Sequence, residues 1–475
     1  MATTTTAFSF SSSAASLAFF LLLALNTASG DGIAVQQQHF HTVQLSSLFP
    51  SNSCSPAPST EGLNKLPVFH KHGPCAQAQQ LTSTKPTADE ILRLDESRVR
   101  KIQSRTRKAA DVRVTESTTI PAKDGSIVDS GDYIVTVGLG TPAKQLSLIF
   151  DTGSDVTWTQ CQPCVECYQQ KEKIFDPSSS KTYRNVSCEA AACSALDAAT
   201  GNRGCTASGS TCVYGILYGD ASFSIGFLAI EKLTLTKTDV FDKFYFGCGK
   251  NNKGNFGGAA GVLGLGRNQL SLVSQTSDKY KKLFSYCIPS SPSGTGFLTF
   301  GGAAAKSAVK YTPIASVAGG DNFYGIGITA ISVGGKKLPV AASVYSDAGA
   351  IIDSGTVITW LPPAAYSALR SAFRKQMSKY PLAQALSILD TCYDLSKFKN
   401  FAVPKIGLFF AGGAEVDIDA VGILYANKPT QVCLAFAGNG DAKDVAILGN
   451  VQQRTLEVVY DVAGGRIGFA SGGCK

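Results

Sequence analysis

An internal repeat centred on two aspartates constrains this chain more than any other feature. The stretch Leu148-Ile149-Phe150-Asp151-Thr152-Gly153-Ser154-Asp155-Val156-Thr157-Trp158 returns in the second half as Ala350-Ile351-Ile352-Asp353-Ser354-Gly355-Thr356-Val357-Ile358-Thr359-Trp360. Aligned on the aspartates, Ile149 meets Ile351, Gly153 meets Gly355, Thr157 meets Thr359 and Trp158 meets Trp360. The chain has only two Trp residues, and both fall at this one repeat position. Such self-similarity implies two related halves facing each other, with one carboxylate from each at the join. Each Asp ends an apolar run of strand character and precedes a hydroxyl residue and a Gly. A buried strand closing in a tight Gly turn holds a carboxylate rigidly on a cleft floor. One Asp-Thr-Gly alone is an ordinary strand-to-turn junction. Two copies at the same place in a repeat point to a catalytic pair.

On these residues the chain resembles the pepsin-type aspartic endopeptidases, and more closely the plant group typified by nepenthesin and the chloroplast nucleoid DNA-binding protease. The resemblance covers about residues 130–475, and the leader before them also matches the plant group. It implies a mainly β, bilobal fold, with two pseudo-twofold-related β lobes and a cleft between them. The N-terminal lobe would span 130–315 with a Cys-rich insertion, and the C-terminal lobe 320–475. The activity implied is hydrolysis of peptide bonds by a water activated between the Asp151 and Asp353 carboxylates, without covalent intermediate, metal or cofactor. By the same likeness Thr152 and Ser354 tie the two loops together, and Ser154 and Thr356 hydrogen-bond the outer carboxylate oxygens beside Gly153 and Gly355. Tyr218, in Leu217-Tyr218-Gly219-Asp220-Ala221-Ser222, corresponds to the flap tyrosine, with its hydroxyl near the indole nitrogen of Trp158. Typical members have Gly where this chain has Ala221, so a stiffer flap tip is expected. Protein or peptide substrates, pepstatin-type inhibitors and a monomeric state follow from the resemblance as well. A binding or inhibitor protein on the same fold is the rival reading; such relatives usually lose one motif, and both are intact here.

The histidine census narrows the chemistry. All four His (His39, His41, His70 and His72) lie in the leader. Without the leader the body has none, which removes Ser-His-Asp and Cys-His mechanisms and His-ligated zinc peptidases. Carboxylates remain able to do acid–base work. The charge balance is mild. Residues 1–110 hold 10 Lys and Arg against 6 Asp and Glu, and the rest holds 33 against 29, so each part carries +4. That is little ground for an acidic partner.

The leader divides in two. Leu17 to Leu25 is an apolar run too short for a membrane span and suited to a signal-peptide core. Ala28-Ser29-Gly30 offers a small-residue cleavage site, so 1–30 reads as a signal peptide and the protein as secreted, to the apoplast. The Thr and Ser residues before Leu17 keep a plastid address open, and a vacuolar one is a further alternative. Residues 31–115 read as a propeptide, with a mature start between Lys108 and Ala122. His70-Lys71-His72-Gly73-Pro74-Cys75 resembles a leader motif of the plant group. Pro86 to Lys108 reads as a helix, with Ile91, Leu92 and Leu94 among charges. It carries Arg98, Arg100, Lys101, Arg105, Arg107 and Lys108. These form either a solvated helix face or a set of charges laid over an acidic cleft and released at low pH. The second reading makes the protein a zymogen with an acid optimum. A third, DNA binding, lacks the interleaved aromatics that such a run needs.

The cysteines come next. Cys161, Cys164 and Cys167 have a spacing that invites zinc, but a secretory leader argues for disulfides. Cys188, Cys193, Cys205 and Cys212 follow, and the body's Cys count is even. Spacing leaves the pairing open; the resemblance implies Cys161–Cys164, Cys167–Cys248, Cys188–Cys212, Cys193–Cys205, Cys287–Cys474 and Cys392–Cys433. Asn185-Val186-Ser187 is a glycosylation sequon inside this insertion. Gly138-Leu139-Gly140 lacks the third Gly of a dinucleotide fingerprint and reads as a hairpin turn. Gly261 to Gly266 and Ala446 to Gly449 read as paired strands behind the two Asp loops. Ala364 to Lys379 reads as a packing helix, with Tyr366, Leu369 and Phe373 on one face.

Overall fold

Strand-forming apolar runs dominate the chain after Tyr133. The computed structural model describes residues 1, 39–55, 65–76, 86–110, 133–218, 222–254, 256–302, 308–317, 319–347 and 349–474. The signal-peptide run, its cleavage site, the segment beyond residue 110 that would hold the mature start, and Ala221 lie outside the described residues. Among the described residues no helix is long and apolar enough to cross a membrane.

The expected mainly β, two-lobed fold is what the chain adopts. Tyr133–Leu139 is buried at every position but Thr136, and it pairs antiparallel with Lys144–Asp151, Ile134 facing Ile149. Gly138 to Gly140 thus leads into a hairpin turn. The end of Lys144–Asp151 is then flanked in parallel by Gly261–Gly264, with Gly264 opposite Asp151. Trp158–Gln160 closes on the other side of that strand, antiparallel. The second half repeats the arrangement. Ala446–Leu448 runs parallel to Ala350–Ile352, and Trp360 of Thr359–Leu361 faces Ile447. In both copies the Thr of the repeat accepts a backbone N–H from the crossing strand: Gly264 to Thr157 and Gly449 to Thr359, each at 3.1 Å. The repeat read in the sequence is therefore a repeat of backbone crossing, and each copy ends by pointing an Asp at the other.

The halves are not separate bodies. Leu283–Cys287 and Gly296–Phe300 pair with each other, and Leu283–Cys287 also pairs with Leu456–Asp461 from the far end of the chain. Phe284 stacks on Tyr460 across this seam at 4.5 Å. The leader enters the same sheet: Lys65–His70 lies between Gly296–Phe300 and Tyr133–Leu139. A second leader strand, Phe40–Gln44, adds to the edge of Asn400–Pro404. Val43, Leu66 and Val68 are buried in the main core. Residues 31–115, read as a detachable propeptide, thus supply backbone pairing and apolar area to both halves, and Cys54–Cys75 ties this part to itself. The helix expected over Ala364 to Lys379 spans Pro363–Gln376 and buries Tyr366, Leu369 and Phe373. Tyr324–Ile326 and Ile328–Val333 are two strands separated at Gly327.

Four of the six cysteine pairings differ from those implied by the resemblance. The structure joins Cys161 to Cys248, Cys164 to Cys167, Cys188 to Cys205 and Cys193 to Cys212. Sheet register explains the first change. Trp158–Gln160 runs parallel to Val240–Lys253 with Thr159 opposite Cys248, and Cys161 N–H donates to Gly249 O at 2.8 Å. Cys161 is held beside Cys248, so Cys164 and Cys167 are left to each other. In the insertion, Cys193 and Cys212 are both fully buried, whereas Cys205 is exposed and meets Cys188 at the rim. Cys287–Cys474 and Cys392–Cys433 form as expected. A non-reducing peptide map is expected to yield one fragment joining Cys161 to Cys248; a Cys167–Cys248 fragment would contradict this register. Asn185 lies exposed on the short strand Arg184–Asn185, accepting from the Tyr183 hydroxyl at 2.6 Å.

Candidate active site

Asp151 and Asp353 stand at the ends of the two repeated strands, 2% and 0% exposed. Their loops are bonded reciprocally. Thr152 N–H donates to Ser354 Oγ at 3.1 Å, and Ser354 N–H donates to Thr152 Oγ1 at 2.9 Å. Each loop also folds back on its own carboxylate: Gly153 N–H donates to Asp151 Oδ1 at 2.9 Å and Gly355 N–H to Asp353 Oδ1 at 3.1 Å. The two Gly residues are required by the close approach of the halves. A β-carbon at Gly153 would lie 2.7 Å from Asp353 Oδ1, and one at Gly355 2.6 Å from Asp151 Oδ1. The Thr356 hydroxyl donates to Asp353 Oδ2 at 2.6 Å. Its counterpart Ser154 is half-buried, and its hydroxyl helps to hold the Asp151 carboxyl down. Behind the pair, Gln453 donates to the carbonyls of Asp353 and Leu448, and Asn450 donates to that of Ser354 at 3.1 Å.

The flap is formed by Cys212–Leu217 and Phe223–Thr234, with Leu217 opposite Phe223. Trp158 Nε1 donates to the Tyr218 hydroxyl at 2.6 Å, in a site where Trp158 is fully buried. The two residues expected to meet do so.

The cleft is occupied by the chain's own leader. Its helix, Ala88–Ala110, starts at a capping box: Glu90 N–H donates to Thr87 Oγ1 and Thr87 N–H to Glu90 Oε2. Arg93 and Arg100 pair with Asp89 and Glu96 one turn earlier. Asp95, Arg98, Lys101 and Ile102 recur every three or four residues and so share one side of the helix. Arg98 reaches both carboxylates. Its Nη2 donates to Asp151 Oδ1 at 2.8 Å and to Asp353 Oδ2 at 3.0 Å, and its Nε to Asp353 Oδ2 at 3.2 Å. Lys101 Nζ donates to the flap carbonyls Leu217 and Tyr218 at 2.7 and 2.8 Å. Arg105 adds a bond to Leu217 O, and Arg107 pairs with Asp444. Asp95 accepts from Val357 N–H, Ile358 N–H and Trp360 Nε1. Leu92, Val99 and Ile102 bury in the same apolar cluster as Phe323, Trp360 and Leu389.

Of the basic run, then, Arg98, Lys101, Arg105 and Arg107 are spent on the chain's own body, and Arg100 on its own helix. This is the cleft-covering arrangement rather than a solvated face. The side chain of Lys108 lies outside the described residues. Sequence reasoning named Arg98 only as one of a run and passed over Asp95 altogether. The signal was present: on a helical wheel both charges fall on the side marked by Leu92, Val99 and Ile102, where a solvated helix carries none.

The two carboxyls are unequal. Burial pushes Asp151 up, but the Arg98 charge and the Gly153 N–H outweigh it and hold the group below the ordinary carboxylate range. For Asp353 burial dominates, the Arg98 charge opposes it, and the adjacent Asp151 charge adds to it, so the group lies above that range. Two adjacent carboxyls that share a proton titrate as a pair, a familiar property of aspartic proteases. In the leader-bound state Asp151 therefore gives up its proton more readily than Asp353.

Comparison with known proteins agrees with this geometry. Residues 133–302 match a family model described as Xylanase inhibitor N-terminal, and residues 323–471 one described as Xylanase inhibitor C-terminal. An aspartyl protease family protein of Arabidopsis thaliana is 58% identical over 463 residues, covering 96% of this chain and 97% of that relative. Aspartyl protease AED1 of the same plant is 51% identical, covering 91% and 92%. Aspartic proteinase nepenthesin-1 of Nepenthes gracilis is 34% identical, covering 72% and 78%. The basic 7S globulin from soybean superposes with a TM-score of 0.57 at 22% identity, over 71% of this chain and 92% of that one, a likeness of fold alone. By sequence and by fold the chain belongs to the plant pepsin-like aspartyl protease family.

Proposed function

We propose that the protein is a secreted zymogen of an acid-acting endopeptidase, with Asp151 and Asp353 as its catalytic pair. The observation that carries this reading is the single guanidinium of Arg98 bridging two carboxylates whose loops are tied through Thr152 and Ser354. A site that holds one cation between two carboxylates also holds a water there once the cation leaves. The charged Asp takes a proton from that water, which attacks the peptide carbonyl. The protonated Asp polarises the carbonyl oxygen and then supplies the proton that the departing amine needs. Chemistry that requires one charged and one neutral carboxyl runs where the pair holds a single proton, on the acid side of neutrality. Latency follows from the leader helix, which fills the cleft and bonds the flap.

Secretion is supported by the apolar run Leu17 to Leu25 and by the pairing of all the cysteines in disulfides, which persist in oxidising compartments. The experiment is cleavage of a protein substrate by the secreted, leader-free form between pH 3 and pH 7, with and without pepstatin. Acid-dependent cleavage blocked by pepstatin is expected. A folded, leader-free sample that cleaves nothing would turn the reading towards a binding protein.

A further inference from the structure

The two halves treat their equivalent Trp residues differently. In the first, the Trp158 indole is satisfied by the flap residue Tyr218. In the second, the Trp360 indole donates instead to the leader, to Asp95 Oδ2 at 3.1 Å. The same carboxyl accepts Val357 N–H on Oδ1 at 2.6 Å and Ile358 N–H on Oδ2 at 3.3 Å. Asp95 is wholly buried there, at an apolar wall that includes Phe323 and Leu389. The three donors belong to the body and the acceptor to the leader. When the leader leaves, three N–H groups converge on one vacated carboxyl position, four to seven residues past Asp353 in the chain. Donors in apolar surroundings need an acceptor.

We propose that this donor trio is a substrate subsite that takes the carboxyl group of an Asp or Glu side chain. It rests on the peptidase reading above and adds a specificity to it. A carboxyl offers two oxygens to three donors, and even when protonated it keeps a lone pair on each oxygen and has a single O–H to turn aside. An amide of the same shape offers one, and turns its N–H2 towards an N–H; an apolar side chain offers none. Asp95 is the leader's occupant of this subsite. Arg98, one helical turn further on, is its occupant of the dyad. The distance between subsite and dyad is set by the Asp353 loop itself, so the preference falls on one substrate position.

The test uses protein activated by acid from the full-length chain, and peptides acetylated and amidated at their ends, with Asp, Asn or Leu at one position at a time. At a single position, the Asp peptide is expected to exceed its Asn twin about 10-fold in kcat/KM. Capped ends assign that preference to the side chain; a preference seen only with a free C-terminus assigns it to the chain end and overturns the proposal. Trp360→Phe, which removes one donor and keeps an aromatic ring, is expected to shrink the Asp-to-Asn ratio. A readout independent of turnover is binding, at neutral pH, of a synthetic peptide spanning residues 86–108 to the same activated protein. Asp95→Asn in that peptide is expected to weaken Kd about 10-fold, and Glu96→Gln to leave it unchanged. Equal rates for Asp and Asn at every position overturn the subsite while leaving the peptidase intact; the donors then serve a main-chain carbonyl. If no peptide is cleaved, the peptidase reading fails, and equal affinities of the two leader peptides overturn the subsite as well.

Discussion

Asp353→Asn or Asp151→Asn is expected to lower kcat on a peptide substrate by about 10⁴-fold, roughly 5 kcal/mol on the barrier. The substitution is close to isosteric, so the loops keep their shape. Thr152 and Ser354 still bond each other, and Gly153 and Gly355 still leave room for the opposing side chain. What is lost is the ability to take or give a proton. An amide at either position cannot act as base towards the water or as acid towards the carbonyl oxygen. Both variants are expected to bind pepstatin-type inhibitors more weakly and to fold as the parent does. Near-parental turnover in either variant would remove the paired-carboxyl mechanism. Loss of turnover accompanied by loss of the folded state would leave the mechanism to be judged on the other variant.

Arg98→Ala is expected to release latency. The guanidinium is nearly buried between two buried carboxylates. Removing one partner of a buried ion pair typically costs about 3–5 kcal/mol, which lowers the docking constant of the leader by about 10²-fold or more. The full-length variant is therefore expected to cleave peptides without an acid step, whereas the parent does not. Arg98→Lys keeps the charge but not the fork geometry and is expected to fall between them. Full latency in Arg98→Ala at neutral pH would show that the apolar contacts of Leu92, Val99 and Ile102 suffice.

The pH dependence of docking has two opposing parts. Docking holds Asp151 below its ordinary range, so the released state binds a proton that the docked state refuses. This contribution is complete above the free carboxyl's ordinary value of about 4 and is lost as pH falls through the depressed one. Asp95 runs the other way. Burial raises Asp95 to about 7 against its backbone and indole donors. Between that value and about 4 the docked state takes the proton first, and acid strengthens the contact. Below about 4 Asp95 is protonated in either state and contributes no further slope, leaving Asp151. Release of the leader is thus expected in the acid range below about pH 4 in the parent, and without that acid dependence in Arg98→Ala. Activity of the full-length chain after stepped acidification measures it.

Much of the site was legible in the sequence because it is local. Asp151 and Asp353 each lie within a run of contiguous residues whose apolar strand, hydroxyl and Gly are readable in order. The duplication then supplied the one long-range fact that a sequence rarely carries, that the two loops face each other. Tyr218 and Trp158 were legible only by resemblance, since an ordinary strand Tyr before a Gly turn looks the same. The cysteine pairing was not legible. It depends on sheet register: Thr159 opposite Cys248 decides the partner of Cys161, and a shift of one residue would change the partner.

By itself, then, the sequence determined that there are two halves, that each delivers an Asp from a buried strand into a Gly turn, and that no His follows residue 72. These follow from periodicity, short motifs and composition, which are properties of neighbouring residues. Only the tertiary structure decided what the leader does. A run of six basic residues has the same sequence whether it faces water, DNA or a cleft. Helix phase and docking put Arg98 between the two carboxylates, Lys101 on the flap and Asp95 on the Trp360 wall. The leader strands show the same limit. Nothing local distinguishes Lys65–His70 as a strand of the sheet shared by both halves from a strand of a free propeptide, because its partners lie about 60 and about 230 residues away. Such pairings are paid for by loop closure and backbone ordering and returned by burial of surfaces far apart in the chain, and the sequence does not record which distant surfaces meet.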